Sequence, residues 1–203
     1  MYTSLYFVMQ MEKRSRKLQA ILDAAKSLFW KHGIRRVTTE EICQVAGVSK
    51  MTFYKYFRNK TAVAKNILED ITEASMKSYK EILDSEISYD QKVKKMIEMK
   101  LENSNDISQE LIYDLYKNSD EEIAKTIDAM KIKMFDFLLD DFKKAQKSGD
   151  IRSGIKPEFF LYFMNKITEM MSDSELVSMY PDPRQIVAEV TNLFFYGITS
   201  PKE

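Results

Sequence analysis

The sequence predicts an all-α protein: an N-terminal three-helix domain with a helix-turn-helix, followed by a C-terminal helical bundle. Three observations carry this. Gly (5) and Pro (4) are scarce in 203 residues, so few points interrupt a helix. Apolar residues recur at i, i+3, i+4 and i+7 along much of the chain, the period of a one-sided helix. Hydrophobic residues make up 44% and charged residues 31%, a balance that can bury a core and still cover it.

The elements follow in order. The first eleven residues, MYTSLYFVMQM, are uncharged. They lack the basic start of a secretion signal, so 1–13 read as an N-terminal extension, with Met1, Met9 or Met11 as the start. Leu18, Ile21, Leu22, Ala25, Leu28 and Phe29 line one face of a helix over 16–31, which Gly33 stops. Thr38-x-x-Glu41 is a capping box opening a short helix with Ile42, Cys43, Val45 and Ala46 on its apolar side. Gly47 ends that helix. Ser49 then caps another over 50–57, which carries Phe53 and Phe57 inward at i and i+4. Two short helices joined by Ala-Gly-Val-Ser have the shape of a helix-turn-helix, here 38–57.

A long helix starts at Lys60 and ends near Asp84, and amphipathic segments follow at 89–103, 107–118 and 121–147. Lys143, Lys144 and Lys147 crowd the last turn of the third, where the helix dipole favours cations, and Gly149 ends it. Pro157 and the Pro-Asp-Pro at 181–183 mark the last two helices.

The net charge is zero but unevenly placed. Residues 12–60 hold 12 Lys or Arg against 4 Asp or Glu, a net +8, and 61–203 carry the balancing −8. A basic module on an acidic body points to a polyanion as partner. A single cysteine, Cys43, excludes an internal disulfide. With His32 the lone histidine, no zinc ligand set is expected, and the thiol usage fits a reducing, cytoplasmic compartment. No apolar run reaches about 18 residues, so no membrane span is expected. Neither a nucleophile-base pairing nor a Gly-rich phosphate loop is visible, so neither catalysis nor a cofactor is expected.

With Phe53 and Phe57 turned inward, Lys50, Met51, Thr52, Tyr54, Lys55 and Tyr56 are left for the opposite face. A major groove accepts one helix, and residues near its start reach base edges. Lys50 suits guanine O6/N7 and Met51 a thymine methyl, while Thr52, Tyr54, Lys55, Tyr56 and Lys60 carry donors for phosphate. Thr38 and Thr39 sit at a helix N-terminus, which attracts phosphate. Glu40 places an acid near the same side. Double-stranded DNA is the expected partner.

Residues 14–65 resemble the DNA-binding domain of the TetR family of bacterial transcriptional regulators. The resemblance rests on "ILDAAKSLFWKHGIRRVTTEEICQVAGVSKMTFYKYFRNKTAV", above all the Gly-Val-Ser turn, the Thr-Phe-Tyr-x-Tyr-Phe block and the Asn-Lys after it. It implies an all-helical homodimer whose C-terminal domain, here 66–203, binds a small effector in many members. It also implies phosphate roles for Thr38 or Thr39, Tyr54 and Lys60, and base-facing roles near Lys50–Thr52. On that reading Met96, Met99, Met130, Met134 and Phe163 line a pocket for a small hydrophobic effector. Phe160, Met164, Ile167, Met171, Val190 and Phe194, on helices apolar nearly all round, meet a partner subunit. The expectation is a repressor on a near-palindromic operator, released by its ligand. The residues leave two alternatives open: a helical protein-interaction module, and a DNA-binding regulator without an effector.

Overall fold

The computed structural model describes residues 2–103, 107–116, 120–170, 173–180 and 182–198. Among them the chain forms α1 (Tyr2–His32), α2 (Thr39–Val45), α3 (Lys50–Tyr54), α4 (Lys60–Leu83) and α5 (Tyr89–Asn103). Then follow α6 (Gln109–Tyr116), α7 (Glu121–Ser148), α8 (Pro157–Met170), α9 (Ser174–Ser178) and α10 (Pro183–Ile198). They make two compact units: Met1–Asp70 with Asp106–Thr126, and Ile71–Asn105 with Ile127–Glu203.

The first unit packs the inner faces of its helices together. Ile21, Ala25 and Phe29 of α1, Ile42 of α2, Phe53 of α3 and Val63 of α4 are all buried. Gly33 stops α1 in the left-handed region at φ 77°, its N–H donating to the Phe29 carbonyl at 2.9 Å. A Cβ there would also lie 2.6 Å from Oδ2 of Asp114 on α6. That same oxygen accepts from the Arg35 N–H at 2.8 Å, and the Ser108 N–H donates to the Trp30 carbonyl at 2.9 Å. With Leu111 buried, α6 packs on α1. This is why 106–126 groups with the first unit, whereas the division expected at residue 65 follows the extent of the helix-turn-helix resemblance.

The second unit is built around Val93 and Met96 of α5, Phe142 of α7, Phe160 of α8 and Phe194 and Phe195 of α10. The Phe142 and Phe160 rings stack at 4.3 Å. Gln146 Nε2 donates to the carbonyls of Arg152 (2.9 Å) and Ile155 (2.7 Å), which fixes the α7–α8 connection.

Three elements depart from expectation. The first helix reaches back to Tyr2, through the stretch read as an extension. The helix expected over 50–57 ends at Tyr54. The one-turn α9, capped by Asp173 Oδ1 on the N–H groups of Glu175 and Leu176, was not anticipated, because five residues show no period.

Candidate functional site

The local chemistry around α2 and α3 sets out one exposed face. Thr38 Oγ1 accepts from the Glu41 N–H at 3.2 Å. In return the Thr38 N–H and hydroxyl donate to Glu41 Oε2 at 2.8 and 3.0 Å, completing the capping box. Those bonds, the backbone one first, hold the Glu41 carboxyl below its ordinary pKa. Gly47, at φ 62°, turns the chain. Ser49 Oγ then accepts from the Thr52 N–H at 3.2 Å and lies 3.0 Å from Thr52 Oγ1.

Between these caps α3 is anchored by Phe53, which has no exposed surface. Its ring meets Tyr54 edge-on at 5.5 Å and Phe57 at 6.1 Å. Met51, Tyr54 and Lys55, at i, i+3 and i+4, share the outer face. Met51 is 73% and Tyr54 55% exposed. Thr39, Thr52 and Tyr56 are half-buried at its edges, and Thr38 is exposed at the start of α2. The face offers a methyl, a phenol and a cation to whatever approaches.

Two cations are already engaged. Lys50 forms an exposed ion pair with Glu40. Their mutual hydrogen bond raises the Lys50 pKa and lowers that of Glu40. Lys60 differs from its expected role. Its ammonium lies 2.8, 2.7 and 2.6 Å from the carbonyls of Ile34, Arg35 and Val37. An ammonium has three protons, so Lys60 ties the α1–α2 connection to the start of α4 instead of presenting a donor to phosphate. Burial pushes its pKa down. Sequence reasoning had no view of these partners, nor of the Arg58–Glu122 ion pair, because they are distant along the chain.

In the second unit a small cavity of about 30 Å³ is lined by Met96, Phe142, Phe160, Met164 and Phe194. Lys100 and Asp141 also reach it. Burial lowers the pKa of the half-buried Lys100. Burial raises that of Asp141, against which Lys144 and Lys92 act.

Residues 21–67 match the model for "Bacterial regulatory proteins, tetR family". That span runs from α1 into α4 and holds the whole helix-turn-helix. Residues 21–67 form a TetR-family DNA-binding domain. The uncharacterised HTH-type transcriptional regulator YdgC of Bacillus subtilis (strain 168) is 24% identical over 190 residues, covering 88% of this chain and 90% of that one. The fatty acid degradation regulator FadR from Bacillus halodurans superposes with a TM-score of 0.72 at 17% identity, over 89% of this chain and 95% of that one. FadR from Bacillus subtilis in complex with stearoyl-CoA gives 0.68 at 17% identity, over 89% and 98%. These two likenesses carry the fold across both units. With that domain, and with relatives that are HTH-type transcriptional regulators, the protein is a DNA-binding transcriptional regulator.

Within this TetR-family fold, several residues of the second unit sit elsewhere than expected. Of the five assigned to an effector pocket, Met96 lines the cavity. Met99 and Met134 pack against the surrounding core, and half-buried Met130 is not among the lining residues. Phe163 is 41% exposed and stacks on Phe159 and Phe194. Of those assigned to a partner interface, Phe160 and Phe194 are buried in the unit's own core, Met164 lines the cavity and Ile167 packs on the core. Val190 is half-buried, and Met171 lies outside the described residues. The outward apolar side chains are instead Phe159, Tyr162, Phe163 and Met170 of α8 and Leu193 and Tyr196 of α10.

Proposed function

We propose that this TetR-family regulator is a homodimeric repressor that places α3 of each subunit in the major groove of a near-palindromic operator and is released by a small apolar effector. One observation carries the DNA half of this reading: Phe53 is wholly buried while Met51 and Tyr54 on the other side of the same five-residue helix are mostly exposed. Met51 touches a thymine methyl, Tyr54 and Lys55 donate to phosphate, and Thr38 and Thr39 present the start of α2 to the backbone. Lys50 exchanges Glu40 for a guanine on binding. Supporting the effector half are the aromatic cavity of the second unit and the stearoyl-CoA held by the FadR relative. Both α4 and α7 run from one unit into the other, so a ligand-driven shift in the second has a path to the first.

In vitro selection of bound duplexes by the purified protein tests the reading. The expected result is an inverted repeat whose half-sites are centred about 10–10.5 base pairs apart, or a multiple of that. Recovery of no shared sequence would sink it. A second reading, a regulator with no effector, is favoured by the cavity's size: about 30 Å³ is far below the ~300 Å³ of an ordinary ligand pocket. Absence of any thermal shift across a library of apolar and amphipathic compounds would decide for it.

A further inference from the structure

We infer that Glu40 is a base-reading residue: with Lys50 it recognises one G·C pair, Lys50 donating to the guanine and the Glu40 carboxylate accepting from the N4 amine of the cytosine. This rests on the DNA reading above and names what an exposed acid contributes to it. The helix-turn-helix, 38–57, holds two acids, Glu40 and Glu41. Glu41 closes the capping box with Thr38, and it also stands at the positive end of the α2 dipole. Glu40 takes no part in that box. It reaches instead from the first turn of α2 to the first residue of α3, Lys50. Both side chains stay 58% exposed, and an exposed ion pair contributes little to stability. The buried Ile42 and Phe53 are what anchor these two helices. The two opposite charges therefore stand together at the start of α3, one residue before the exposed Met51.

That arrangement matches the edge of one base pair. In the major groove a G·C pair presents two adjacent acceptors, guanine N7 and O6, and beside them the N4 amine donor of cytosine. An ammonium has protons for both acceptors, and the carboxylate that it leaves then has a donor next to it. An A·T pair sets its donor between two acceptors and ends in a methyl group. It offers the ammonium no neighbouring pair of acceptors, and it leaves the carboxylate facing an acceptor or a methyl. Glu40 thus opposes other base pairs as well as favouring this one, which is how a repulsive element adds specificity.

The test uses the full-length protein and the duplex recovered by in vitro selection. Each half-site should contain a G·C pair at a position that selection with Glu40→Met no longer specifies, the other positions being unchanged. At that position N4-methylcytosine keeps Watson–Crick pairing but puts a methyl in place of the groove-facing proton. With both half-sites so modified, wild-type affinity in duplex titrations should fall at least about tenfold, as for loss of a good base contact. Glu40→Gln would keep an acceptor oxygen, so Glu40→Met is the variant that removes the hydrogen bond. It preserves side-chain length, so a mere clash with the methyl would persist in it, whereas the loss of a hydrogen bond would not. Glu40→Met should therefore bind plain and methylated duplexes equally. It should melt with the wild type because Thr38 and Glu41 still cap α2; Glu40→Ala replaces it if it does not fold. Wild-type binding indifferent to the N4 methyl, or a sensitivity that survives Glu40→Met, overturns the role of Glu40 and leaves the major-groove reading standing. The same selected half-site from both proteins does likewise. Recovery of no shared sequence by the wild type overturns both.

Discussion

Single side chains here divide between holding the exposed face of α2 and α3 in place and forming that face, and Lys60 shows how the two differ. An ammonium in the first turn of α4 opposes the helix dipole, but three backbone carbonyls accept from it. Lys60→Ala leaves those carbonyls to water and should lower stability by about 1–3 kcal/mol in urea unfolding. It should leave the slope of log affinity against log salt unchanged; a slope shallower by about one would restore Lys60 as a phosphate contact. Tyr54, by contrast, has a hydroxyl at the surface and a ring edge-on to Phe53. Tyr54→Phe should preserve the melting temperature and weaken binding to specific and random duplexes alike, by about three- to tenfold. The Lys50–Glu40 pair gives a test of opposite sign. Glu40→Gln removes an acid beside the expected DNA surface and frees Lys50, so affinity should rise and its salt dependence steepen.

Five residues of α3 cannot hold a helix in isolation, so the element exists because Ser49 caps it and Phe53 pins it. Phe53→Ala should cost about 3–5 kcal/mol and abolish DNA binding, read as loss of both helicity and gel shift at a temperature where the wild type is folded. Gly33→Ala should be severe for two reasons, a positive φ and a Cβ 2.6 Å from Asp114 Oδ2, and should lower the unfolding midpoint far more than Gly47→Ala, which meets open space. These elements also mark what the sequence made legible. Caps are local: Thr38 with Glu41, and Ser49 with its helix, stand within three residues of their partners and were readable as such. The Lys60 contacts reach back 23 residues or more and the Arg35–Asp114 bond spans 79, so no window of sequence contains them. The expected end of α3 was three residues late because Phe53 and Phe57 keep helical spacing, yet the chain turns at Lys55 between them.

At the scale of the molecule, period failed where a helix is apolar on every side. On α8 and α10 the expected partner-facing set took Phe160 and Phe194, yet packing put those two inside and left Phe159 and Leu193 outside. Burial of whole side chains also sets the response to alkali. The phenols of Tyr79 and Tyr89 are pushed above their ordinary pKa by burial. Above pH about 10 the unfolded chain releases these protons while the native state keeps them, so stability falls as pH rises. Tyr79→Phe should flatten that decline between pH 10 and 11, measured by urea midpoint. The outward set of Phe159, Tyr162, Phe163, Leu193 and Tyr196 bears on assembly. A monomer rarely exposes so many large apolar groups on two helices, and pairing two such faces would bury a four-helix seam across a twofold axis. Tyr162→Asp with Leu193→Asp should therefore sediment as a folded monomer, with the helicity of the wild type. Because each half-site would then be bound independently, affinity for the selected palindrome should fall at least about a hundredfold, while affinity for an isolated half-site stays put. A double variant that remains dimeric and keeps its operator affinity would place the partner-facing surface on other helices.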